Sequence, residues 1–293
     1  MLDSTKLTKQ ENISLSKEIA MVAPIDTPFA TLLLANGRQK DATAKIHTWR
    51  EKTLNLTDDI SVAEGSEATN FAEGTRAELN NVMEIFMKSA KVSGTAQATG
   101  NTGDLFSSEI NDRLAELKVN IEKRLINGVK DDGEISGIRK MNGILQFVDP
   151  ANKITGATAG VITEAEVKQL ARRLWEQGVA TGEVYALVNA DIKEQIDEIY
   201  KDKYNYVAQT NEFGLVVQTI DTNYGRLNFV LDRHMPVNKI VVFDINALNV
   251  AYLRQPAFEM LGKTGDSVAG QVVAETTLEV ATKKAIAEYT LGV

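Results

Sequence analysis

The chain has 293 residues, 43% of them hydrophobic and 25% charged, a size and balance that allow one large domain or two modest ones with a proper core. It has no cysteine, which excludes disulfides and thiolate metal sites, and its net charge of −8 argues against tight binding of a nucleic-acid backbone by the folded body. No apolar run approaches the length of a membrane span, and the start, Met1-Leu2-Asp3-Ser4-Thr5, lacks the basic-then-apolar order of a secretion signal.

Residues 1–45 read as an arm lying on other surfaces. Ile13, Leu15 and Ile19 mark a short helix, and Asp26-Thr27-Pro28-Phe29 is a turn leading into Ala30–Leu34. Residues 46–92 then read as two long extended runs with no partner sheet of their own. Ile46, Thr48, Leu54 and Leu56 belong to the first, and Val82, Ile85, Phe86, Met87 and Val92 to the second. A polar, glycine-punctuated tip, Ser61 to Thr75, lies between them. At about 3.3 Å per residue, arms of about 20 residues would reach some 60 Å. A two-stranded ribbon is marginal alone in water, so it is expected to gain its burial on another molecule, as the protruding part of an assembly subunit does.

The ribbon is also acidic. Residues 51–84 hold Glu51, Asp58, Asp59, Glu64, Glu67, Glu73, Glu78 and Glu84 against only Lys52 and Arg76. Charges on a strand edge block unwanted pairing, and an acidic arm also suits a basic patch on a neighbour; the two readings are compatible. Trp49 suits an anchor on an adjoining surface or packing against the subunit's own long helix. Ser93-Gly94-Thr95 is expected to turn at the ribbon's end.

Residues 104–127 carry the clearest helical pattern. Ile110, Leu114, Leu117, Ile121 and Leu125 step by three and four, Asp104 suits the N-cap, and Asn127-Gly128 suits the stop. A helix of that length spans about 36 Å. Residues 128–163 are loop-rich, with a short strand expected at Ile144 to Val148, ended by Asp149-Pro150. Thr163 with Glu166 forms a capping box for a helix buried through Val167, Leu170, Ala171 and Leu174 and ended by Gly178. Trp175, late in that helix, reads as core or domain interface. A strand follows at Val184 to Val188, then a helix capped by Asn189 through Ile192, Ile196 and Ile199. Strands are expected at Leu215–Ile220, Leu227–Leu231 and Ile240–Phe243, with a turn at Asn223-Tyr224-Gly225. Helices and strands mixed in this way indicate a compact α+β domain. The chain is expected to end in an antiparallel pair, Val272 to Val280 and Ala285 to Leu291, separated by Lys283-Lys284.

Catalytic and metal chemistry finds little support. The two histidines, His47 and His234, are far apart, and neither has a ligand at metal spacing. Neither a P-loop nor a dinucleotide-binding glycine pattern occurs. Gly265-Asp266-Ser267-Val268-Ala269 faintly resembles a nucleophile elbow, but that motif needs a strand before it and a helix after it, and here a turn followed by a strand is the better reading. Asp131-Asp132-Gly133-Glu134 lacks the full ligand ladder of a calcium loop and reads as an acidic surface loop.

The order of features resembles the major capsid proteins of tailed bacteriophages, with their Hong Kong 97-type shell fold. Trp49-Arg50-Glu51-Lys52-Thr53-Leu54 is similar to the start of that family's extended loop, and Glu64-Gly65 to its tip. Ser93-Gly94-Thr95-Ala96-Gln97-Ala98 resembles the segment leading to its long helix, and Arg139-Lys140-Met141-Asn142-Gly143-Ile144-Leu145 the strand that follows. Thr264-Gly265-Asp266 with Glu275-Thr276-Thr277-Leu278-Glu279-Val280 resembles its C-terminal signature. No motif is chemically diagnostic alone; their order from Asp26 to Val280 carries the match.

The resemblance implies an α+β capsid fold with an N-terminal arm (1–45), an extended β-hairpin loop (46–95), a peripheral domain (96–163, with the spine helix at 104–127), an axial domain (164–246) and a peripheral return (247–293). It implies a structural protein with no active site and no cofactor, found in the virion and, before assembly, in the host cytoplasm. Its partners would be copies of itself in hexamers and pentamers, a portal, a separate scaffolding protein or none, since about 45 residues before the loop are too few for a cleaved scaffolding segment, and DNA met by non-specific proximity, with no membrane. Subunit-contact candidates are Trp49, Glu51, Asp58, Asp59, Glu64, Glu67 and Glu73 on the loop, with Lys118, Lys123, Arg124 and Arg139 as basic counterparts. Lys52 and Asn55 sit in the loop, but no pattern singles out the lysine–asparagine crosslinking of a few relatives. Two alternatives remain: a bacterial nanocompartment (encapsulin-like) shell, which shares the fold and encloses a cargo enzyme, and a hydrolase using Ser267 or a carboxylate pair.

Overall fold

The computed structural model describes residues 26–54, 59–67, 74–99, 104–178, 183–201, 218–263 and 265–292. The helix expected around Ile13 to Ile19 lies outside them, as do Asn55, Leu56 and Leu215. In chain order the elements are α1 (Pro28–Ala35), β1 (Gln39–Asp41), β2 (Ile46–Thr53), β3 (Thr75–Val82), β4 (Glu84–Ser93), α2 (Gly94–Thr99) and α3 (Leu105–Asn127). These are followed by β5 (Lys153–Ala159), α4 (Glu164–Glu176), β6 (Glu183–Val188), α5 (Ala190–Lys201), β7 (Thr219–Thr222), β8 (Gly225–Leu231) and β9 (Lys239–Asp244). The long strands β10 (Leu248–Met260) and β11 (Ser267–Val280) and then β12 (Ile286–Gly292) complete the chain.

The helices form where side-chain spacing and capping agree. Asp104 caps α3, its carboxylate accepting from the backbone N–H groups of Phe106 and Ser107 at 3.1 and 3.3 Å. Gly128 follows the last turn and returns its N–H to Arg124 O. Leu117, Ile121 and Leu125 are buried on one face, each contributing on the order of 2 kcal/mol by leaving water. Thr163 and Glu166 complete the reciprocal capping box of α4, and Gly178 follows that helix at φ 68°, a left-handed conformation that glycine adopts without strain.

The strands fall into three groups. One sheet has the order β1-β10-β11-β4 and another β5-β12-β9-β6-β8-β7, while among the described residues β2 and β3 pair only with each other. The central strands of the six-stranded sheet, β12, β9 and β6, are buried on both faces, and their alternation shows how. Leu187, Val241, Phe243 and Ile286 face a core shared with α1, α3 and the four-stranded sheet. Val184, Ala186, Val188, Ile240, Val242, Ala287 and Tyr289 face α4 and α5. Strands covered on both sides read as continuous apolar runs.

Several expectations are corrected. The second extended run is not the ribbon's other arm: β4 pairs with β11 from Glu84↔Thr276 to Ser93↔Ser267, inside the subunit's own sheet. The ribbon's return strand is β3, paired with β2 from Ile46↔Val82 to Thr53↔Thr75. The extended chain changes partner at Met83, which is wholly buried between the two strands. Eight-residue arms give the paired part of the ribbon a reach of about 27 Å, not 60 Å.

Residues 26–45 also belong to the subunit's body. Phe29 and Leu33 are wholly buried in the main core, and Gln39–Asp41 pairs in parallel with Val250–Tyr252. Gly94 begins helix α2 directly after β4. Ile144–Gln146 is a 3₁₀ turn, not a strand, because a short apolar run between Gly143 and Pro150 has too few residues to declare its period. The last two strands do not pair with each other: β11 lies between β10 and β4, whereas β12 lies between β5 and β9. The strand β5 was not foreseen, whereas β10 falls in the last 45 residues, which read as strand-like.

Candidate subunit-contact surfaces

The ribbon β2–β3 divides into a root and an outer half. At the root Asn81, wholly buried, makes four hydrogen bonds. Its Nδ2 donates to Leu278 O at 2.8 Å and Asn142 O at 3.0 Å, and its Oδ1 accepts from the N–H groups of Asn142 and Val82 at 2.8 and 2.9 Å. The inward side chains of β2 continue the seam. Trp49 donates from Nε1 to Val280 O at 2.6 Å and lies 6.0 Å from the Phe147 ring. Trp49 therefore packs on its own subunit, against the strand end and the 3₁₀ segment. Glu51 accepts from the Thr282 hydroxyl at 2.6 Å.

Glu279 meets both His47 Nε2 and Lys40 Nζ at 2.7 Å. Burial alone would raise the Glu279 carboxyl, but the hydrogen bonds and charges of His47 and Lys40 outweigh it and hold the group below its ordinary range.

The outer half finds no such cover. Leu54 is 62% exposed, Ile60 85% and Val62 79%. Asp59, Glu64 and Glu67 are exposed in the same segment and Glu78 is exposed on β3 opposite Arg50, while Asp58 and Glu73 lie outside the described residues. Asp59 Oδ1 accepts from Ser61 N–H at 3.0 Å, and this bond holds the Asp59 carboxyl below its usual range. Gly65, with φ 82°, makes the turn that only glycine takes without strain. Of the acids counted in the stretch 51–84, Glu51 and Glu84 turn back to the body. Glu84 pairs with Arg124 at 3.1 Å and accepts from Met141 N–H at 2.9 Å.

The basic candidates divide in the same way. Arg124 is engaged with Glu84, and Arg139 with Glu275 at 2.7 Å, which Arg254 also approaches at 3.1 Å. Lys118 and Lys123 are exposed on α3. Trp175 is not core: it is 58% exposed and lies 5.6 Å from the Tyr224 ring. Exposed apolar side chains that sequence reading passed over, Val129, Ile135 and Ile138, flank the bridge Asp131↔Lys140. Their signal was available, as isoleucines inside an otherwise polar loop.

Nothing brings catalytic groups together. Ser267 opens strand β11, so no helix follows it. The Asp131 carboxylate is used by its own turn, accepting from Gly133 N–H and the Ser136 hydroxyl. Among the described residues, no three His, Cys, Asp or Glu side chains are gathered to hold a metal ion, and no helix is long and apolar enough to cross a membrane.

A family model described as SU10 major capsid protein matches residues 3–291. Among solved structures, the cyanophage A-1(L) capsid asymmetric unit is similar at 17% identity and a TM-score of 0.68, over 98% of this chain and 98% of that one. The capsid of a native GTA particle is similar at 12% identity and a TM-score of 0.70, over 96% and 95% of the two chains. The holo-SrpI encapsulin complex from Synechococcus elongatus PCC 7942 is similar at 12% identity and a TM-score of 0.66, over 99% and 95%. No curated protein sequence matches. At these identities the structural likeness carries the fold, a Hong Kong 97-type α+β shell fold with a long helix.

Proposed function

This chain belongs to the SU10 major capsid protein family, and we propose on that premise that the outer half of the β2–β3 ribbon is the part of each subunit that lies across a neighbouring copy. As a member of the family the chain is the major capsid protein of a tailed phage. It is a structural protein and not an enzyme, and it assembles with copies of itself into the virion's shell.

The observation that carries the proposal is the exposure of Leu54, Ile60 and Val62 on a ribbon whose root is fastened to its own body. Apolar side chains held out on a charged ribbon gain burial when a second copy covers them. Asp59, Glu64 and Glu67 then meet basic groups on that copy, with Lys118 and Lys123 the lysines left exposed on α3. Each such contact is modest, and a closed shell repeats it around symmetry axes. Hexamers and pentamers are the units in which this reading assembles the copies, with a portal and a separate scaffolding protein as the other partners. The net charge of −8 supports DNA held by proximity, not by tight binding.

The domain reading is kept with the changes given above, residues 26–45 and β4 joining the body, and with one more. The axial part, 164–246, shares its sheet with β5 and β12, so strands from both flanking segments complete it. Replacing residues 58–75 with a short Gly-Ser turn tests the ribbon. A soluble, folded subunit that yields no closed particles in negative-stain micrographs is expected; normal shells from that variant would refute the assignment.

A further inference from the structure

Glu122 lies on the core side of α3 and is wholly buried. Its carboxyl oxygens accept from the backbone N–H groups of Phe29 at 2.6 Å and Ala30 at 2.8 Å. These are orphan donors in the first turn of α1, where Thr27 supplies no side-chain cap. Glu122 thus caps a helix through Phe29, 93 residues earlier in the chain.

A second carboxyl meets it. Asp232, in the turn after β8, is also wholly buried. It is fixed by its own N–H to Val188 O at 2.9 Å, and its Oδ1 accepts from His234 N–H at 2.8 Å. Among the described residues its buried Oδ2 finds no N–H or hydroxyl donor, yet Asp232 is within hydrogen-bonding reach of the Glu122 carboxyl. A proton on one of the two acids supplies the missing donor.

The charged groups around the pair are engaged or face water. On α3, Arg124 pairs with Glu84, and Lys123 is exposed. In the turn, Arg233 approaches Asp26 at 3.6 Å, and His234 has a buried Nε2 without a partner. The first turn of α1 carries no acidic side chain, and β8 and β10 turn Val230 and Val250 toward the core. Two carboxylates cannot both ionise cheaply in such a place.

We propose that Glu122 and Asp232 share one proton and form a pH-sensitive latch that fastens α1 to α3 and to the turn after β8. Burial, and next to it the neighbouring Asp232, push Glu122 up to about 8, against the downward pull of the Ala30 and Phe29 N–H groups. In an opened state the group returns to its ordinary value of 4.5. Closing the latch therefore takes up a proton between these two values. Its contribution is complete below the lower value, declines as pH rises, and is lost above the upper one. The opening equilibrium of α1 rises by up to about tenfold per pH unit across that window and then levels off.

Amide hydrogen exchange of the full chain, corrected for intrinsic rates and followed from pH 5.5 to 8.5, tests this. Protection in α1 should fall about a hundredfold over two pH units and then flatten, while α4 holds constant. Glu122→Gln should hold α1 protection flat over the whole range. Should that variant fail to fold, Asp232→Asn decides: its amide supplies the missing donor and removes a charge, so the fall moves to lower pH. Flat protection in the unaltered chain, or the same fall in either variant, would overturn the latch.

Discussion

The root of the ribbon lies in two strands paired in one unbroken register, Ile46↔Val82 to Thr53↔Thr75, whereas Leu54, Ile60 and Val62 of its outer part lie beyond the paired ends. The two parts differ in what surrounds them. At the root a polar side chain, Asn81, is wholly buried and satisfied four times over, and an aromatic one, Trp49, is pinned to the body. Further out, apolar side chains stand in water beside carboxylates. A buried polar network fixes geometry because every misplacement leaves a donor or acceptor unpaired. An exposed apolar cluster fixes nothing until another surface meets it. The subunit can thus set the direction of the ribbon before a neighbour arrives, and stability and assembly are written into separate parts of one hairpin.

Mutations can break that separation. The largest effect on the subunit itself is expected from Asn81→Ala, which leaves several buried backbone groups unpaired. A loss of about 3 kcal/mol in unfolding free energy is expected by urea denaturation; a loss under about 1 kcal/mol would show that water replaces the side chain and that the root is not the rigid half. Ile60→Ser combined with Val62→Ser should change subunit stability by no more than about 0.5 kcal/mol, while particle yield by light scattering falls severalfold. Equal losses of stability and yield would mean that these side chains belong to the subunit's own fold. The smallest effect is ionic. If the exposed acids of the tip meet bases on a neighbour, assembly yield should decline gradually as salt rises from low to physiological strength and beyond. A yield independent of salt would assign the contact to apolar burial alone.

Legibility followed the range of the interaction. Asp104, the stripe through Ile121 and Leu125, the Thr163–Glu166 box and Gly178 are decided within a few residues of one another, so α3 and α4 stand where the pattern puts them. The acids of the ribbon were legible as charges, but not in their destinations. Glu84 and Glu51 turn inward to Arg124 and Thr282, partners 40 and 231 residues away, and no local pattern announces this. Trp175 failed in the opposite sense, since a large aromatic on an amphipathic helix looks buried, whereas here it is 58% exposed beside the Tyr224 ring.

The sequence by itself determined the helices α3, α4 and α5, the extended character of the stretches around Ile46–Thr48 and Val82–Val92, the absence of thiol chemistry and the ordered set of motifs that mark a shell protein. Only the tertiary structure decided which strands meet. It gave β4 to β11 in place of β2, set β12 between β5 and β9, and brought Glu122 against Asp232 and the start of α1. The physical reason is that alternation along a strand says which side chains share a face, whereas the row of N–H and C=O groups along its edge is nearly the same for every strand. Partners are therefore chosen by how the whole core packs, and that choice is made across the full length of the chain.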